Sequence, residues 1–552
     1  MPDRETCPAF FVAVKHGRST QKLRLQNLAL TVCDVCMSTK HFLPQSLPPT
    51  ELDGPHAAWC LAAYVREGAR QWPGSIYLRD GSRELTYAEA WQRTASLAAW
   101  LHRQGIGRGD RVVMVTENRI ETVLMFFALA QIGGISVVLH PQMKPEGLRR
   151  ILEQTEPKLG MLEAATASLK DEFGAVPLLW ADEKGFAEAI SEMEPERVPF
   201  PGLDIDPAFL VFTSGSTGTP RGVILTHDNV HFVSAAIQAR LQYQADDRVA
   251  IFLPLSFDYG LYQIFYAAIA GASVFIGRPE MAGPELPRIL AAQEISVLPG
   301  VPTLFGGLIK MQRYRPVPLP KMRVITNTGD HLPQSYITSL RELFPAARVH
   351  PMYGLTECKR VSILQPEELE SKPESVGRPL DGTEVFAIDS NGNRLPPGET
   401  GELCVRGRHL ALGYWRAPDE TAKRYKFIGE GHSRVLVSGD YGSVDAEGFL
   451  HFHGRSDFLI KHKGHRLSPA EVEEEACRIM GIVAAGCVKD ETKDLLCLFV
   501  SVSDASLDEP KIIQALSLKL EPAKVPNRVI LLPELPKTGN QKVDRKALRA
   551  ML

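Results

Sequence analysis

From about Pro55 to about residue 350 the sequence alternates between apolar runs and stretches of helical spacing, and this alternation limits the fold more than any single motif does. Ala57 to Gln71 carries apolar residues at helical spacing, and Ser75-Ile-Tyr-Leu with Arg83-Glu-Leu-Thr-Tyr reads as a hairpin. A helix from Tyr87 to Arg103, a turn from Gly105 to Asp110 and the apolar strand Arg111-Val-Val-Met-Val follow. Recurring strand–helix–strand units predict parallel sheets covered by helices. The most apolar stretch, Val123 to Leu139, is short for a bilayer span and is broken by Gln131, Gly133 and Gly134. It predicts a buried helix, a glycine turn and a buried strand.

After about Gly377 the pattern changes to strands and turns, punctuated by Asn391-Gly392, Pro396-Pro397-Gly398 and Gly401. Beyond Arg455 a second unit begins, with a helix from Pro469 to Met480, strands from Gly486 to Lys489 and Leu495 to Val502, and a helix from Pro510 to Leu520. The expected class is α/β: a large domain of parallel-rich sheets covered by helices with a β-rich subdomain, then a small α+β domain. The expected boundaries are 1–54 for a poorly ordered, proline-ended extension, 55–454 for the large domain and 455–552 for the small one. Met37, just before the regular part, is a candidate natural start.

A chain of 552 residues exceeds one compact core. The net charge of -3 gives no polybasic surface for nucleic acid or anionic lipid, though a local phosphate site needs none. The 9 cysteines are scattered, as in a protein with reduced thiols, and the N-terminus has no sustained apolar signal core, so a cytoplasmic location without a membrane span is expected. Cys33 and Cys36 have C-x-x-C spacing, but no second pair completes a metal site; incidental thiols are the better reading.

The segment that carries chemistry is Ala208-Phe-Leu-Val-Phe-Thr-Ser-Gly-Ser-Thr-Gly-Thr-Pro-Arg-Gly. An apolar strand ends abruptly in hydroxyls and glycines. Gly215 and Gly218 allow backbone N–H groups to approach an anion, Thr213, Ser214, Ser216 and Thr217 add hydroxyl donors, and Arg221 adds fixed charge. No G-x-x-x-x-G-K-[ST] can be aligned, so this is not a Walker loop.

Thr213-Ser-Gly-Ser-Thr-Gly-Thr-Pro-Arg-Gly resembles the signature loop of the adenylate-forming superfamily, which holds acyl-CoA synthetases, adenylation domains of nonribosomal peptide synthetases and firefly luciferase. Further motifs follow in that family's order: Met352-Tyr-Gly-Leu-Thr-Glu, Gly401-Glu-Leu, Ser438-Gly-Asp, Gly454-Arg-Ser-Asp and Gly539-Asn-Gln-Lys-Val-Asp-Arg. The resemblance runs from about Pro55 to the C-terminus. It implies activation of a carboxylic acid by ATP to an acyl-adenylate with release of pyrophosphate, then transfer to a thiol, the kind of ligase chemistry used in secondary metabolism.

The resemblance also assigns roles. Tyr353, beside Gly354, lies against the adenine. Thr356 donates to a phosphate, and Glu357 helps hold Mg²⁺, a hard cation suited to carboxylate and phosphate oxygens. Asp440 accepts from the ribose hydroxyls, Arg455 contacts the nucleotide, and Gly329 and Asp330 line the adenine and acyl pockets. Lys542 on the mobile small domain stabilises the charge that develops during adenylation. Asp457 is the hinge about which that domain rotates, and Gly464 then leaves room for the thiol arm. Lys461, Lys463 and Arg466 either meet the phosphates of CoA or an acidic carrier protein, or form a solvated face.

Two departures from the family pattern stand out, the second of which bears on substrate. Arg221 stands where the family more often has lysine, which keeps the charge and changes its geometry. Leu253-Pro-Leu-Ser-Phe-Asp-Tyr-Gly places Phe257 and Asp258 at the acyl site, and Asp258 is similar to the aspartate that grips the α-ammonium in amino-acid-activating members. Its other readings are a helix cap or a pair with a neighbour. The chain ends at Leu552, soon after the lysine motif, so the expected acceptor is CoA or a separate phosphopantetheinyl carrier protein. The leading expectation is a stand-alone acid–thiol ligase. The alternatives are a stand-alone amino-acid adenylating enzyme loading a carrier protein, a non-catalytic adenylate-binding relative, and luciferase-like oxidation, for which nothing in the sequence asks. The acyl pocket falls between about Phe232 and Ser362 with a shape that sequence does not assign.

Overall fold

The computed structural model describes residues 60–552 apart from the segments 183–185, 188–189, 191–199, 215–219, 429–432, 456–459, 463–464 and 539–542 and the single residues 82, 468, 491, 505 and 523. Outside the described residues lie the expected extension with Cys33 and Cys36, Gly215, Ser216, Thr217 and Gly218 of the glycine loop, Asp457, Gly464 and Lys542.

Two large sheets form the main body. The first has nine strands in the order Arg378–Pro379, Ser362–Ile363, Arg348–Tyr353, Val324–Asn327, Val297–Gly300, Arg248–Ile251, Ser273–Ile276, Ile76–Asp80 and Arg83–Thr86. The six from Arg348–Tyr353 to Ile76–Asp80 are parallel, and antiparallel strands close both edges. The second has seven, in the order Gly413–Tyr414, Pro220–Thr226, Pro207–Ser214, Ile135–Leu139, Arg111–Val115, Leu159–Leu162 and Leu178–Trp180. Its last five are parallel. Helices cover both sheets because the crossovers between parallel strands require them.

The apolar stretch resolves as expected. Helix Ile120–Gln131 is buried on every side, Gly133 turns the chain at φ 73°, and Ile135–Leu139 enters the sheet fully buried. Helix Tyr87–Arg103 has the expected bounds and a capping box. Thr86 accepts from Glu89 N–H at 3.2 Å, and the Glu89 carboxylate accepts from Thr86 N–H at 2.8 Å. The helix expected from Ala57 runs Ala63–Gln71, with Cys60, Leu61 and Ala62 in a bend and turn before it.

The strand-rich region forms an antiparallel sheet of Thr383–Ile388, Gly401–Gly407, Val435–Val444 and Tyr425–Lys426, with Leu450–Arg455 paired to Val435–Val444. The C-terminal region has its own three-stranded sheet of Ile482–Asp490, Leu495–Val502 and Arg528–Leu531, packed on an apolar cluster that includes Val472, Leu496, Leu498, Ile512 and Leu516. The bounds of two helices and one strand differ from the sequence reading. The first helix here ends at Cys477 and Gly481 turns at φ 98°, which frees Ile482 to start the strand four residues early. The last expected helix is Glu509–Ser517, begun one residue sooner because the Asp508 side chain caps it. No helix among the described residues is long and apolar enough to cross a membrane.

Several histidines are buried without charge in the main body. His227 accepts from Leu61 N–H through Nδ1 at 3.2 Å, so its ring is neutral. Burial, aided by nearby His231, pulls its pKa down to about 3; burial likewise takes His350 to about 3 and His409 to about 4. The unfolded chain, with imidazoles near 6.5, binds more protons than the folded one below that pH, so stability is lost as pH falls from 6.5. At pH 5 the loss is about 2 kcal/mol per histidine, opposed only in part by His331, which Glu474 shifts the other way. All 6 tryptophans precede residue 416, so their fluorescence reports this region. Its urea midpoint is expected to drop between pH 7 and pH 5, and His227→Gln to narrow the drop. A level midpoint contradicts neutral burial.

Candidate active site

The glycine loop joins two antiparallel neighbours. Strand Pro207–Ser214 pairs with Pro220–Thr226, and Thr213 faces Arg221 while Ser214 faces Pro220. Short strand Gly413–Tyr414 continues the sheet, with Tyr414 opposite Val223. The Arg221 guanidinium lies 2.9 Å from Glu420 of helix Pro418–Arg424 and 5.8 Å from the Tyr414 ring centre. A nucleotide phosphate that draws on Arg221 therefore competes with Glu420.

Tyr414 also reaches the second cluster. Its hydroxyl donates to Glu357 Oε1 at 2.7 Å, and Tyr425 donates to the Glu357 carbonyl at 3.2 Å. Burial and the Glu357 charge together push the Tyr414 phenol up. Glu357 and Thr356 sit in the turn after strand Arg348–Tyr353, and Gly354 begins that turn. A Cβ at Gly354 would fall 2.1 Å from the Lys359 carbonyl, so the turn closes only over glycine. Among the described residues no group of three or more acidic, histidine or cysteine side chains gathers for a metal. The donor set at Glu357, one carboxylate beside the phosphate hairpin, fits Mg²⁺, which keeps waters and shares its shell with substrate phosphates.

Tyr353 and Asp440 form a buried pair, with the phenol donating to Asp440 Oδ2 at 2.6 Å. Burial, reinforced by the Asp440 carboxylate, raises the Tyr353 phenol well above its ordinary value. Phe452 lies 5.4 Å from Tyr353 between ring centres, so the aromatic surface is shared by two side chains. Asp440 is directly opposite Arg455 in the ladder between Val435–Val444 and Leu450–Arg455. Four expected nucleotide residues, Tyr353, Gly354, Asp440 and Arg455, thus belong to two adjoining pieces of chain.

Gly329 turns at φ 91° after strand Val324–Asn327, and Asp330 Oδ1 accepts from His331 N–H at 2.9 Å. The C-terminal region packs here. His331 Nε2 is 3.2 Å from Glu474, Ser335 donates to the Cys477 carbonyl at 3.4 Å, and Tyr336 donates to the Val483 carbonyl. Burial alone would lower the His331 pKa, but Glu474 holds it above the ordinary value. Between the two regions lies a cleft of about 320 Å³ bordered by Pro302, Asp330, His331, Glu473, Lys537 and Val543. Lys537 and Val543 pair across an isolated bridge, and both border the cleft.

At the expected acyl site, Phe257 is the N-cap residue of helix Asp258–Ala270 and Asp258 opens its first turn. Asp258 is 4% exposed, and its Oδ2 is 3.2 Å from Nζ of Lys359, which is 3% exposed. Burial pulls the Lys359 ammonium down to about 7 against the opposing pull of Asp258. Of the two other readings of Asp258, the structure shows the pair with a neighbour. Lys359, Arg360 and Tyr414 were not singled out from sequence. The available signal was Lys359-Arg360 itself, two cations standing directly before the apolar Val361-Ser-Ile-Leu.

A model of the AMP-binding enzyme family matches residues 65–415. The dimodular nonribosomal peptide synthase of Bacillus subtilis (strain 168) is 29% identical over 488 residues, 87% of this chain; the chain spans 20% of that relative's length. The crystal structure of VinN is 34% identical with a TM-score of 0.66, covering 71% of this chain and 98% of VinN. The anthranilate CoA ligase AuaEII, solved with anthranoyl-AMP, shares the fold at a TM-score of 0.82 and 22% identity, covering 89% of this chain and 96% of its own. With its glycine hairpin, the Thr356-Glu357 turn and the Tyr353–Asp440 pair in one structure, and most of VinN spanned at 34% identity, this chain belongs to the AMP-binding enzyme family.

Proposed function

We propose that the protein adenylates a carboxylic acid with ATP and passes the acyl group to the thiol of CoA or of a phosphopantetheinyl carrier protein. The observation that carries the reading is Tyr414. One side chain lies on the phosphate hairpin and hydrogen-bonds Glu357, so anion-binding backbone and a metal-binding carboxylate are fixed relative to each other. Asp440, braced by Tyr353, supports the ribose, where an ionised carboxylate suits a vicinal diol.

In the first half-reaction a carboxylate oxygen of the acid bonds to the α-phosphorus as the bond to the pyrophosphate oxygen breaks. Thr356 and the hairpin hold the phosphates, and Lys542 supplies positive charge to the attacking and leaving oxygens. Mg²⁺, held by Glu357, supplies charge neutralisation of the phosphates. In the second, a thiol sulfur bonds to the acyl carbon and AMP leaves, with rotation about Asp457 bringing Gly464 to the site. The three domains assigned in the sequence, 1–54, 55–454 and 455–552, belong to this reading, with the last as lid.

A second, narrower reading is favoured by Asp258: the acid is an amino acid. A carboxylate buried at a helix start within the acyl region suits an ammonium group. The nonribosomal peptide synthase among the relatives and the structure of VinN in complex with L-aspartate support it.

Pyrophosphate release with ATP and Mg²⁺ across fatty, aryl and amino acids tests both readings. Lys542→Ala and Glu357→Gln are each expected to lower turnover ~100-fold or more, the scale seen when a single preorganised charge or donor is removed. Asp440→Asn is expected to raise KM for ATP with a smaller effect on kcat. No turnover with any acid, although ATP binds, would overturn the adenylation reading.

A further inference from the structure

Two basic side chains and one acidic one are packed together where the acid is expected. Asp258 meets Lys359 at 3.2 Å, and Arg360 follows in sequence with 1% of its surface exposed. The Lys359 ammonium lies 4.3 Å from the Tyr262 ring centre and 5.4 Å from that of Tyr259; the Arg360 guanidinium lies 5.3 Å from Tyr259. Arg360 Nη1 donates to the Thr328 hydroxyl. Among the described residues, Arg360 Nε and the hydroxyls of Tyr262 and Tyr266 are buried without a hydrogen-bond partner.

Two buried basic side chains thus share the cluster with one buried acidic one, and burial already pulls the Lys359 ammonium down to about 7. Leaving a buried charge uncompensated costs several kcal/mol. Lys359 is also held at φ 62°, a left-handed conformation that a lysine adopts only when its surroundings impose it. A cluster this costly is poor scaffolding, and its unpartnered guanidinium Nε suits an anion. The carboxylate that attacks phosphorus is a poor candidate, because its lone pairs must be free for the new bond. A guanidinium with an open donor beside an ammonium instead suits a carboxylate that does not react.

We propose that Lys359 and Arg360 are specificity-determining residues that read a second carboxylate on the acid, and that Lys359 gives up Asp258 to the substrate's own ammonium group. The substrate class is an amino dicarboxylic acid. The inference rests on the amino-acid reading above and deepens it. Without substrate, Lys359 occupies the place of the ammonium. With substrate, Lys359, Arg360 and the substrate ammonium are matched by Asp258 and the two substrate carboxylates, and the charges of the site sum to zero.

The test is ATP–pyrophosphate exchange by the full chain with L-aspartate, L-glutamate and 3-aminoglutarate, their half-amides, alanine and β-alanine, the amine-free succinate and glutarate, and octanoate and benzoate. One amino diacid is expected to exceed its half-amide and its amine-free counterpart by ~100-fold each in kcat/KM, the scale of a desolvated charge contact. Lys359→Met is expected to narrow the diacid-to-amide ratio by a similar factor. Preference for a monocarboxylic amino acid, an amine-free diacid, octanoate or benzoate overturns the proposal while adenylation stands. An unchanged ratio in Lys359→Met overturns it too. If Lys359→Met does not fold, the wild-type panel decides alone. Exchange with none of the acids removes the adenylation reading and this inference with it.

Discussion

Six strands run the same way through the nine-stranded sheet, and this shared direction places the site. Parallel strands release their chain at one edge, where the following loops must gather. Strands Val297–Gly300, Val324–Asn327 and Arg348–Tyr353 are adjacent in that order, so the chain after each emerges side by side. Pro302, Asp330 with His331, and the turn from Gly354 to Arg360 come from these three exits. Residues more than fifty positions apart become neighbours because backbone hydrogen bonds align their strands. The antiparallel additions at the edges contribute closure without changing which end carries the loops.

Legibility in the sequence followed the range of the forces involved. Helix Tyr87–Arg103 was readable because its cap, its spacing and its end are local. Strand Leu495–Val502 was readable because its apolar run is continuous and its turn signals are adjacent. The bounds of strand Ile482–Asp490 were not, since pairing with Leu495–Val502, and not the text of Ile482-Val-Ala-Ala, extends it. At the site, Tyr353, Thr356, Glu357 and Asp440 were named through motif resemblance, and the structure supplies the Tyr353–Asp440 bond and the link from Tyr414 to Glu357. Lys359 and Arg360 were passed over because charged residues are mostly exposed. Their burial arises from Tyr259, Tyr262 and Asp258, about a hundred residues away, and nothing local announces it.

Electrostatics divides the site into parts with different habits. Around Glu357 and Arg221 each charge already has a protein partner, Tyr414 or Glu420, that a ligand can displace or share at modest cost. The Tyr353–Asp440 pair is deeper: its phenol keeps its proton, so it serves as a fixed donor that orients the carboxylate. The Asp258–Lys359–Arg360 group is deepest, with no exposed face to share. Water relaxes the first part and is nearly excluded from the last, so the same charge acts more strongly there.

The closure over Gly354 joins two of these parts by backbone. The carbonyl that forbids any side chain at Gly354 belongs to Lys359. A replacement at position 359 therefore tugs on the peptide planes that carry Thr356 and Glu357, whereas a replacement at Asp258 acts from a separate helix. Any replacement at position 359 must keep an unusual backbone angle, so change there is expected to be slow and to come in company.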